Sequence, residues 1–517
     1  VAADLTRLSP EQLHILAADL QAQVKGHEAV ITEQTHQLAA RQQQLDRRDQ
    51  TIQRYRIREE KLTHEIALLR RHRFGKRSEV LNKQQLSMLD DLIEEDTAAL
   101  ETELDKLATR DRPRPEKQQP ARQALPPHLP RTEIRHDPAS TTCTCGCQLK
   151  RVGEDISEKL DYEPGTFRVE RHIRGKWVCD ACETLVQEPV SPQIIDKGIP
   201  TTNLLAQVLI NKYADHLPLY RQQQIFARAG VALPRSTLAD WVGRCGVELT
   251  PLVDALRQEL KTHAVLHADE TPVAMLSPGK KRTHRAYVWA YAATRFAPVQ
   301  AVVYDFRPSR AGKEARDFLT GWIGKLVCDD YSGYKAGFAE GITEMGCMAH
   351  ARRKFHDLHV ANQSPIAEKA LAYIGALYEI EREAAALSDA ARQQLRQEKA
   401  RPVLDKLHHW LIGQRQQVTH GTATAKAIDY SLKRWQALTR YLDDGRVPID
   451  NNWVENQIRP WALGRSNWLF AGSLRSGQRA ANIMSLIQSA KINGLDPQAY
   501  LRDVMERLPT IRQSRLH

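Results

Sequence analysis

Three acidic residues carry the chemistry this chain is best equipped to perform. Asp269 stands in HADET, Asp329 in CDDYSGY and Glu455 in NNWVENQIRP. Cleaving a phosphodiester means stabilising negative charge on the attacking and leaving oxygens together, and two Mg2+ ions about 3.5–4 Å apart do this. Mg2+ binds through oxygen, usually one or two carboxylates completed by water and substrate phosphate. Three carboxylates can bridge and flank such a pair, with Mn2+ as a substitute ion. Taken singly, each acid says little. An Asp at a strand end is commonly a turn or cap residue, and a Glu on a helix commonly faces water.

The elements around them must therefore bring them together. VLHADETPVAML, RAYVWAYAATRF and QAVVYDFRP read as three successive strands, AGKEARDFLTGWI as a helix, and KLVCDD as a fourth strand ending on the aspartates. TEMGCMAH reads as a short fifth strand. If the first strand is central, the first and fourth are neighbours and their carboxylates converge at one edge of the sheet. Residues 351 to about 440 read as nearly all helix. NNWVENQIRP then forms the helix that supplies Glu455, and SGQRAANIMSLIQSAKING a second, capped by Ser476 and stopped by Gly494. Arg459 lies on the same helix face as Glu455, four residues on. It reads either as a phosphate contact or as an internal partner of Glu455, and Arg465 is a further phosphate-contact candidate.

Five of the eight cysteines fall between Cys143 and Cys182. In an intracellular chain such clustering points to metal rather than disulfides. A structural Zn2+ takes four ligands in a tetrahedron. Cys179 and Cys182 form a C-x-x-C pair, and Cys143, Cys145 and Cys147 offer three candidates for the two remaining places. The strand-like run FRVERHIRGKWVC belongs to the same segment. The module is either a small DNA-binding zinc ribbon or a fold staple.

Two amphipathic helices follow, NLLAQVLINKYADH and PLYRQQQIFARAG, the second with Pro218 in its first turn and Gly230 as its stop. RSTLADWVGRCG comes next, with Ser236 as its cap. The last pair reads as a helix-turn-helix, whose Arg235, Ser236 and Thr237 are of the types that contact bases or phosphates; a plain packed helix pair is the alternative. Arg352, Arg353 and Lys354 in MAHARRKF are placed to bind DNA beside the site. His350 is either a satisfied core histidine or a helper near the scissile phosphate.

Composition frames these modules. At 517 residues the chain exceeds one ordinary core. Its net charge of +11 favours an anionic partner, of which nucleic acid is the commonest large one. No stretch reaches the ~18 apolar residues of a membrane span, and no signal peptide is visible. A soluble intracellular protein is expected. Residues 1 to about 110 contain no proline after Pro10, and Val24, Ile31, Leu38, Leu45 and Ile52 recur every seven residues. Tyr55, Leu62, Ile66 and Leu69 continue the seam. A coiled coil would make a dimer or larger assembly, the alternative being a helical hairpin. Arg70, Arg71, Arg73, Lys76 and Arg77 form a basic run, either along phosphates or simply solvated. Six prolines in residues 111–131 mark a semi-rigid linker.

The matching stretches run nearly the whole chain: FGKRSE, CGCQL with VCDAC, KYADHLPLYRQ, HADETP, DDYSGY, GCMAHARRKF and DNNWVENQIRPWALGRSNWLFAGS. In these the chain resembles the transposases of the insertion sequence 66 family. The resemblance implies a ribonuclease H-like α/β catalytic core with a helical insertion before the final Glu; together with the N-terminal coiled coil, zinc module and helix-turn-helix read above, the expected fold is multidomain α+β. The resemblance also implies a DDE triad of Asp269, Asp329 and Glu455. The family usually has Gly after the second Asp, where this sequence has Asp330. The motif register and the alternation of strand side chains favour Asp329.

The expected organisation is a helical region at 1–110, a linker at 111–132, a zinc module at 133–190 and a helix-turn-helix region at 200–246. The core would occupy 260–350 and 441–485, interrupted by the helical insertion at 351–440 and followed by a tail at 486–517. The expected function is cleavage and strand transfer at the ends of an insertion sequence, using Mg2+ and a structural Zn2+ on double-stranded DNA. Small accessory proteins of the same element are possible partners. A DNA-binding regulator on an inactive transposase scaffold is the alternative.

Overall fold

The structure is a computed structural model and describes residues 10–74, 83–107, 125–163, 165–196, 198–276, 283–468 and 470–511. Lys76 and Arg77 of the basic run, and most of the proline-rich linker, lie outside the described residues, as do the side chains of Arg70, Arg71 and Arg73. The chain divides into two compact units, one drawn from Val1–Leu69 and Glu103–Pro113, the other from Arg70–Thr102 and Arg114–His517.

The first unit is built on the proline-free helix α1 (Pro10–Phe74) and the end of α2 (Lys83–Leu107). Val24, Leu38, Leu45, Ile52 and Tyr55 are exposed along α1, whereas Leu62 and Ile66 are buried. The Ile31 side chain lies outside the described residues.

The second unit contains two sheets. The smaller is formed by β1 (Arg131–His136), β2 (Lys150–Glu163), β3 (Thr166–Val178) and β4 (Leu185–Val186). The long antiparallel β2–β3 hairpin carries the parallel strand β1 on its other side. Four helices follow: α3 (Thr202–Tyr213), α4 (Leu219–Arg228), α5 (Arg235–Glu248) and α6 (Thr250–Leu260). Gly230 and Gly494 stand at positive φ where the sequence places helix stops. One cap differs from expectation: α5 begins after Pro234, with no side-chain cap, and Ser236 sits inside its first turn.

The larger sheet holds β5 (Val265–Leu276), β6 (Thr283–Ala293), β7 (Val302–Arg307), β8 (Lys325–Val327) and β9 (Thr343–Met345), with α7 (Gly312–Leu319) and α8 (Lys335–Ala339) between strands. The strand order is β7-β6-β5-β8-β9. The first three strands are antiparallel neighbours, whereas β5–β8 and β8–β9 are parallel. The first strand is thus central and beside the fourth.

Both faces of this sheet are covered, because side chains alternate along each strand. On β6, Ala286, Val288, Ala290 and Ala292 join the core shared with α3–α5, while Trp289, Tyr291 and Ala293 face the core around α7. The helical insertion contains α9 (Met348–Asn362), α10 (Pro365–Ala384), α11 (Asp389–Leu395), α12 (Arg401–Gln417), α13 (Ala423–Lys433) and α14 (Trp435–Thr439), and its apolar core takes in Val265, Val327 and Met345 of the sheet. The chain returns to the sheet as α15 (Asn452–Trp468), α16 (Leu474–Ile492) and α17 (Pro497–Arg507). Edge strand β7 is shielded by α16: Ser485 Oγ accepts from Tyr304 N–H at 2.8 Å, and Ser489 Oγ from Val302 N–H at 3.1 Å. The N-cap of α16 is Ser473, not Ser476. The two serines form a reciprocal capping box in which Ser476 is the inner member.

The second unit also takes in most of α2. Its acidic face is buried: Glu95 pairs with Lys212 at 2.8 Å and with Arg479 at 3.0 Å, and Asp96 pairs with Arg479 at 3.0 Å. Gly243 lets the α5 backbone approach that of Glu95, since a Cβ there would collide with the Glu95 carbonyl. Arg479→Ala removes the shared cation while both acids stay buried. The expected loss is about 3–5 kcal/mol, read as a lower urea midpoint of this unit, with a smaller loss in Arg479→Lys.

Candidate active site and zinc module

Asp269 is not at a strand end, as its sequence setting suggested, but within β5. The parallel ladder between β5 and β8 ends at His267 paired with Val327. Asp269 and Asp329 each lie two residues beyond that last pair. They therefore stand at one level where the two strands part. Strand β8 itself stops at Val327, so Asp329 belongs to the following loop.

Alternation sets which way each acid of HADET faces. Val273 of β5 joins the core containing Val454, Ile458 and Trp461 of α15, and Asp269 shares its face. Ala268 joins the α7-side core, and Glu270 shares that face. Glu270 is held there by Arg310 at 2.6 Å and by the Tyr334 hydroxyl at 3.0 Å. Arg310 also lies over the Tyr331 ring, 4.0 Å from its centre. Gly312 permits this packing, because a Cβ there would strike the Gly333 carbonyl. Tyr331 N–H in turn donates to Asp329 Oδ1 at 2.9 Å. These partners of Glu270 and Asp329 were not anticipated from the sequence, although the tyrosines lie inside DDYSGY.

Asp330 points elsewhere. It pairs with Arg434, which also binds Glu344 at 2.8 Å. The acid that replaces the family's Gly is thus occupied by an internal cation.

Glu455 is positioned by the residue at the head of its helix. Asn451 is fully buried; its Nδ2 donates to the Ala268 carbonyl at 2.9 Å and its Oδ1 lies 2.8 Å from His267 Nδ1. Since that oxygen can only accept, His267 carries its proton on Nδ1. Burial holds the His267 pKa down to about 4, so the ring is neutral. Asn451 N–H donates to Cys347 Sγ at 3.2 Å, and Glu455 N–H to the Asn451 carbonyl at 3.2 Å. Trp453 Nε1 adds a bond to the Ala293 carbonyl at 3.0 Å. The start of α15 is thereby fastened beside Asp269.

The electrostatics follow from that gathering. Burial, then the charge of Glu270, with further contributions from Glu455 and Asp329, pushes the Asp269 carboxyl up to about 8. The Glu270 N–H, donating at 2.9 Å, opposes this. A carboxyl in such a place is neutral below its raised pKa, and a bound cation would favour its charged form. Glu455 has Arg353 at 3.6 Å and His350 at 3.8 Å.

The other basic candidates lie in mixed settings. Arg352, Arg353 and Lys354 are exposed on α9, and Arg459 is exposed on α15. Arg465 donates to Thr271 Oγ1 at 3.2 Å and to the Pro272 carbonyl at 2.9 Å, tying α15 to β5. Arg235 is 3.2 Å from Asp91 of α2, and Ser236 and Thr237 are half-buried beside it.

At one end of the small sheet, in the segments before β2 and between β3 and β4, Cys143, Cys145, Cys179 and Cys182 bring their sulfurs together. Cys147 is the spare cysteine: its carbonyl accepts from Cys143 N–H at 2.7 Å, and its sulfur is outside the cluster. The sulfur separations of 3.3, 3.6 and 3.7 Å fit a tetrahedral Zn2+, whose ~2.3 Å bonds place sulfurs about 3.8 Å apart. The Thr184 hydroxyl and amide hold the Cys182 thiol down to about 6, so it is readily a thiolate. These residues fit a structural zinc.

Three outcomes are expected. Cys179→Ser should lose bound zinc and lower the thermal midpoint, whereas Cys147→Ser should keep one zinc per chain by elemental analysis. Asn451→Ala leaves His267 and the Ala268 carbonyl unpaired, which should cost about 1–3 kcal/mol in denaturant unfolding. Divalent-cation binding should release protons and weaken as pH falls below about 8, because cation and proton compete for Asp269. The limit is about tenfold per pH unit, read by calorimetry in buffers of different ionisation enthalpy.

A family model described as Transposase IS66 family matches residues 197–479. Models described as zinc-finger binding domain of transposase IS66, Transposase C of IS166 homeodomain and IS66 C-terminal element match residues 140–183, 61–134 and 485–517. Among relatives, the chain is similar to the uncharacterized protein y4jD of Sinorhizobium fredii, at 38% identity over 86% of this chain and 91% of the relative. It is also similar to the uncharacterized protein y4qI of the same organism, at 34% identity over 95% of each. The matched segments span the large sheet with its helical insertion, the four-cysteine cluster and the C-terminal helices, and on that evidence the chain belongs to the IS66 family of transposases.

Proposed function

We propose that this transposase cleaves and joins DNA at a DDE centre formed by Asp269, Asp329 and Glu455 on a ribonuclease H-like core. The observation that supports the reading is that Asp329 and Glu455 lie near enough to Asp269 for their charges to act on it. Asp269 and Asp329 stand level where β5 and β8 part, and Asp269 feels the charge of both partners. The strand order around a central β5, with the helical insertion ahead of Glu455, supports the core assignment.

When bound there, two divalent cations would stabilise charge on the attacking and leaving oxygens of a phosphodiester. The chain's own residues do the rest. Asn451 holds Glu455 over the strand, and Tyr331 N–H orients the Asp329 carboxylate. Arg310 and Tyr334 hold the Glu270 carboxylate on the α7-side face of β5, from where its charge still raises Asp269. Arg352, Arg353 and Lys354 offer cations to flanking phosphates. Terminal recognition is assigned to the zinc module with the α4–α5 pair, and self-association to the exposed apolar residues of α1.

The test uses DNA carrying the element's ends with Mg2+ or Mn2+. The full chain should yield both cut and joined products, and Asp269→Ala, Asp329→Ala and Glu455→Ala should each lose at least a thousandfold in rate, on the scale of removing one transition-state stabilising group. Asp330→Ala should retain cleavage. Full activity in any triad variant refutes the assignment, and binding of end DNA without cleavage by the wild type favours a regulatory role.

A further inference from the structure

Resting on that reading of the site, we infer that His350 supplies a nitrogen ligand to the cation held by Glu455. The centre is then a mixed nitrogen–oxygen site rather than an all-carboxylate one.

His350 lies in the first turn of α9, which starts directly after the edge strand β9. One nitrogen of its ring, a Glu455 oxygen and Cys347 Sγ all lie within 4.8 Å of one another. His350 Nδ1 is 3.8 Å from Glu455 Oε1, too long for a hydrogen bond. It is the right span for two ligands of one ion, which at about 2.1 Å each stand about 3.0–4.2 Å apart. Both atoms are buried, and among the described residues neither has a hydrogen-bond partner. Buried polar atoms are nearly always paired, so two orphans facing each other point to something between them. A proton alone would draw them together, whereas a cation holds them at this distance.

The neighbours decide which groups take part. Cys347 Sγ accepts the Asn451 N–H at 3.2 Å, so its sulfur is engaged with the head of α15. Arg353 approaches the other oxygen, Glu455 Oε2, at 3.6 Å, leaving Oε1 to the cation. Asn451 fixes the start of α15 against both Cys347 and β5, so the pair is held rigidly. Imidazole suits transition metals better than it suits Mg2+. His350 thus biases the centre toward Mn2+ over Mg2+.

The experiment is pulsed electron paramagnetic resonance of Mn2+ bound to the zinc-loaded full chain. The wild type should show modulation from a directly bound nitrogen, altered by 15N-histidine labelling. His350→Ala and His350→Leu should abolish it while Mn2+ still binds, with affinity lowered roughly tenfold. Bound Mn2+ without nitrogen modulation, a signal insensitive to the label, or a signal surviving in either variant overturns the inference. The labelled wild type decides the matter even where a variant fails to fold. Asp269→Ala and Glu455→Ala test the parent reading separately. Loss of bound Mn2+ in both is expected. Mn2+ binding unchanged in both overturns the carboxylate site and this inference with it.

Discussion

The amide of Asn451 is the contact on which the geometry of the site depends. It joins the helix that carries Glu455 to the strand that carries Asp269, across a long stretch of intervening chain. An amide serves because it offers a donor for the Ala268 carbonyl and, on a separate atom, an acceptor for His267 Nδ1 in one short side chain. An aspartate could not donate, and an apolar residue would leave two buried groups unpaired. With the helix start fixed beside residue 268, Glu455 stands one turn on, near enough for its charge to act on Asp269. The helical insertion can then be large without disturbing the site, since its two ends are pinned at Cys347 and Asn451.

Gathering carboxylates in a half-dry place is unfavourable, and the protein answers this unevenly. Glu270 has Arg310 and Tyr334, Asp330 has Arg434, and Glu455 has Arg353 nearby. Among the described residues Asp269 has a single backbone N–H and no cation. Asp269, the acid proposed as a central cation ligand, is left under-compensated, while Glu270 and Asp330 beside the proposed ligands are neutralised internally. Local rules of satisfaction are broken at Asp269 and kept next door.

Much of the architecture was readable from side-chain pattern. The five strands, their interruption by α7, the helical insertion and the helix bearing Glu455 all follow from periodicity, because burial on one face imposes a spacing on apolar residues. The errors were of a different kind. Ser236 and Ser476 look like caps, yet Pro234 and Ser473 hold those places. Several residues near a helix start have capping chemistry, and backbone geometry selects among them. Asp269 looked like a strand terminus because the pattern shows where a strand runs, not where its neighbour leaves it. Arg235 and Arg465 looked free for phosphate, yet one meets Asp91 and the other Thr271 and Pro272. A cation's partner across the fold leaves no mark beside it in the chain.

By itself the sequence determined the chemical inventory: three acids on separate elements, more cysteines than a zinc ion needs, a basic chain and the motifs of a transposase family. These are local facts, set by residue type and spacing. The tertiary structure decided which members of that inventory meet. It chose Cys143, Cys145, Cys179 and Cys182 and left out Cys147. It turned Asp330 to Arg434 and brought His350 beside Glu455. Such choices depend on distances between residues far apart in the chain, and those are fixed only when strands pair and helices pack.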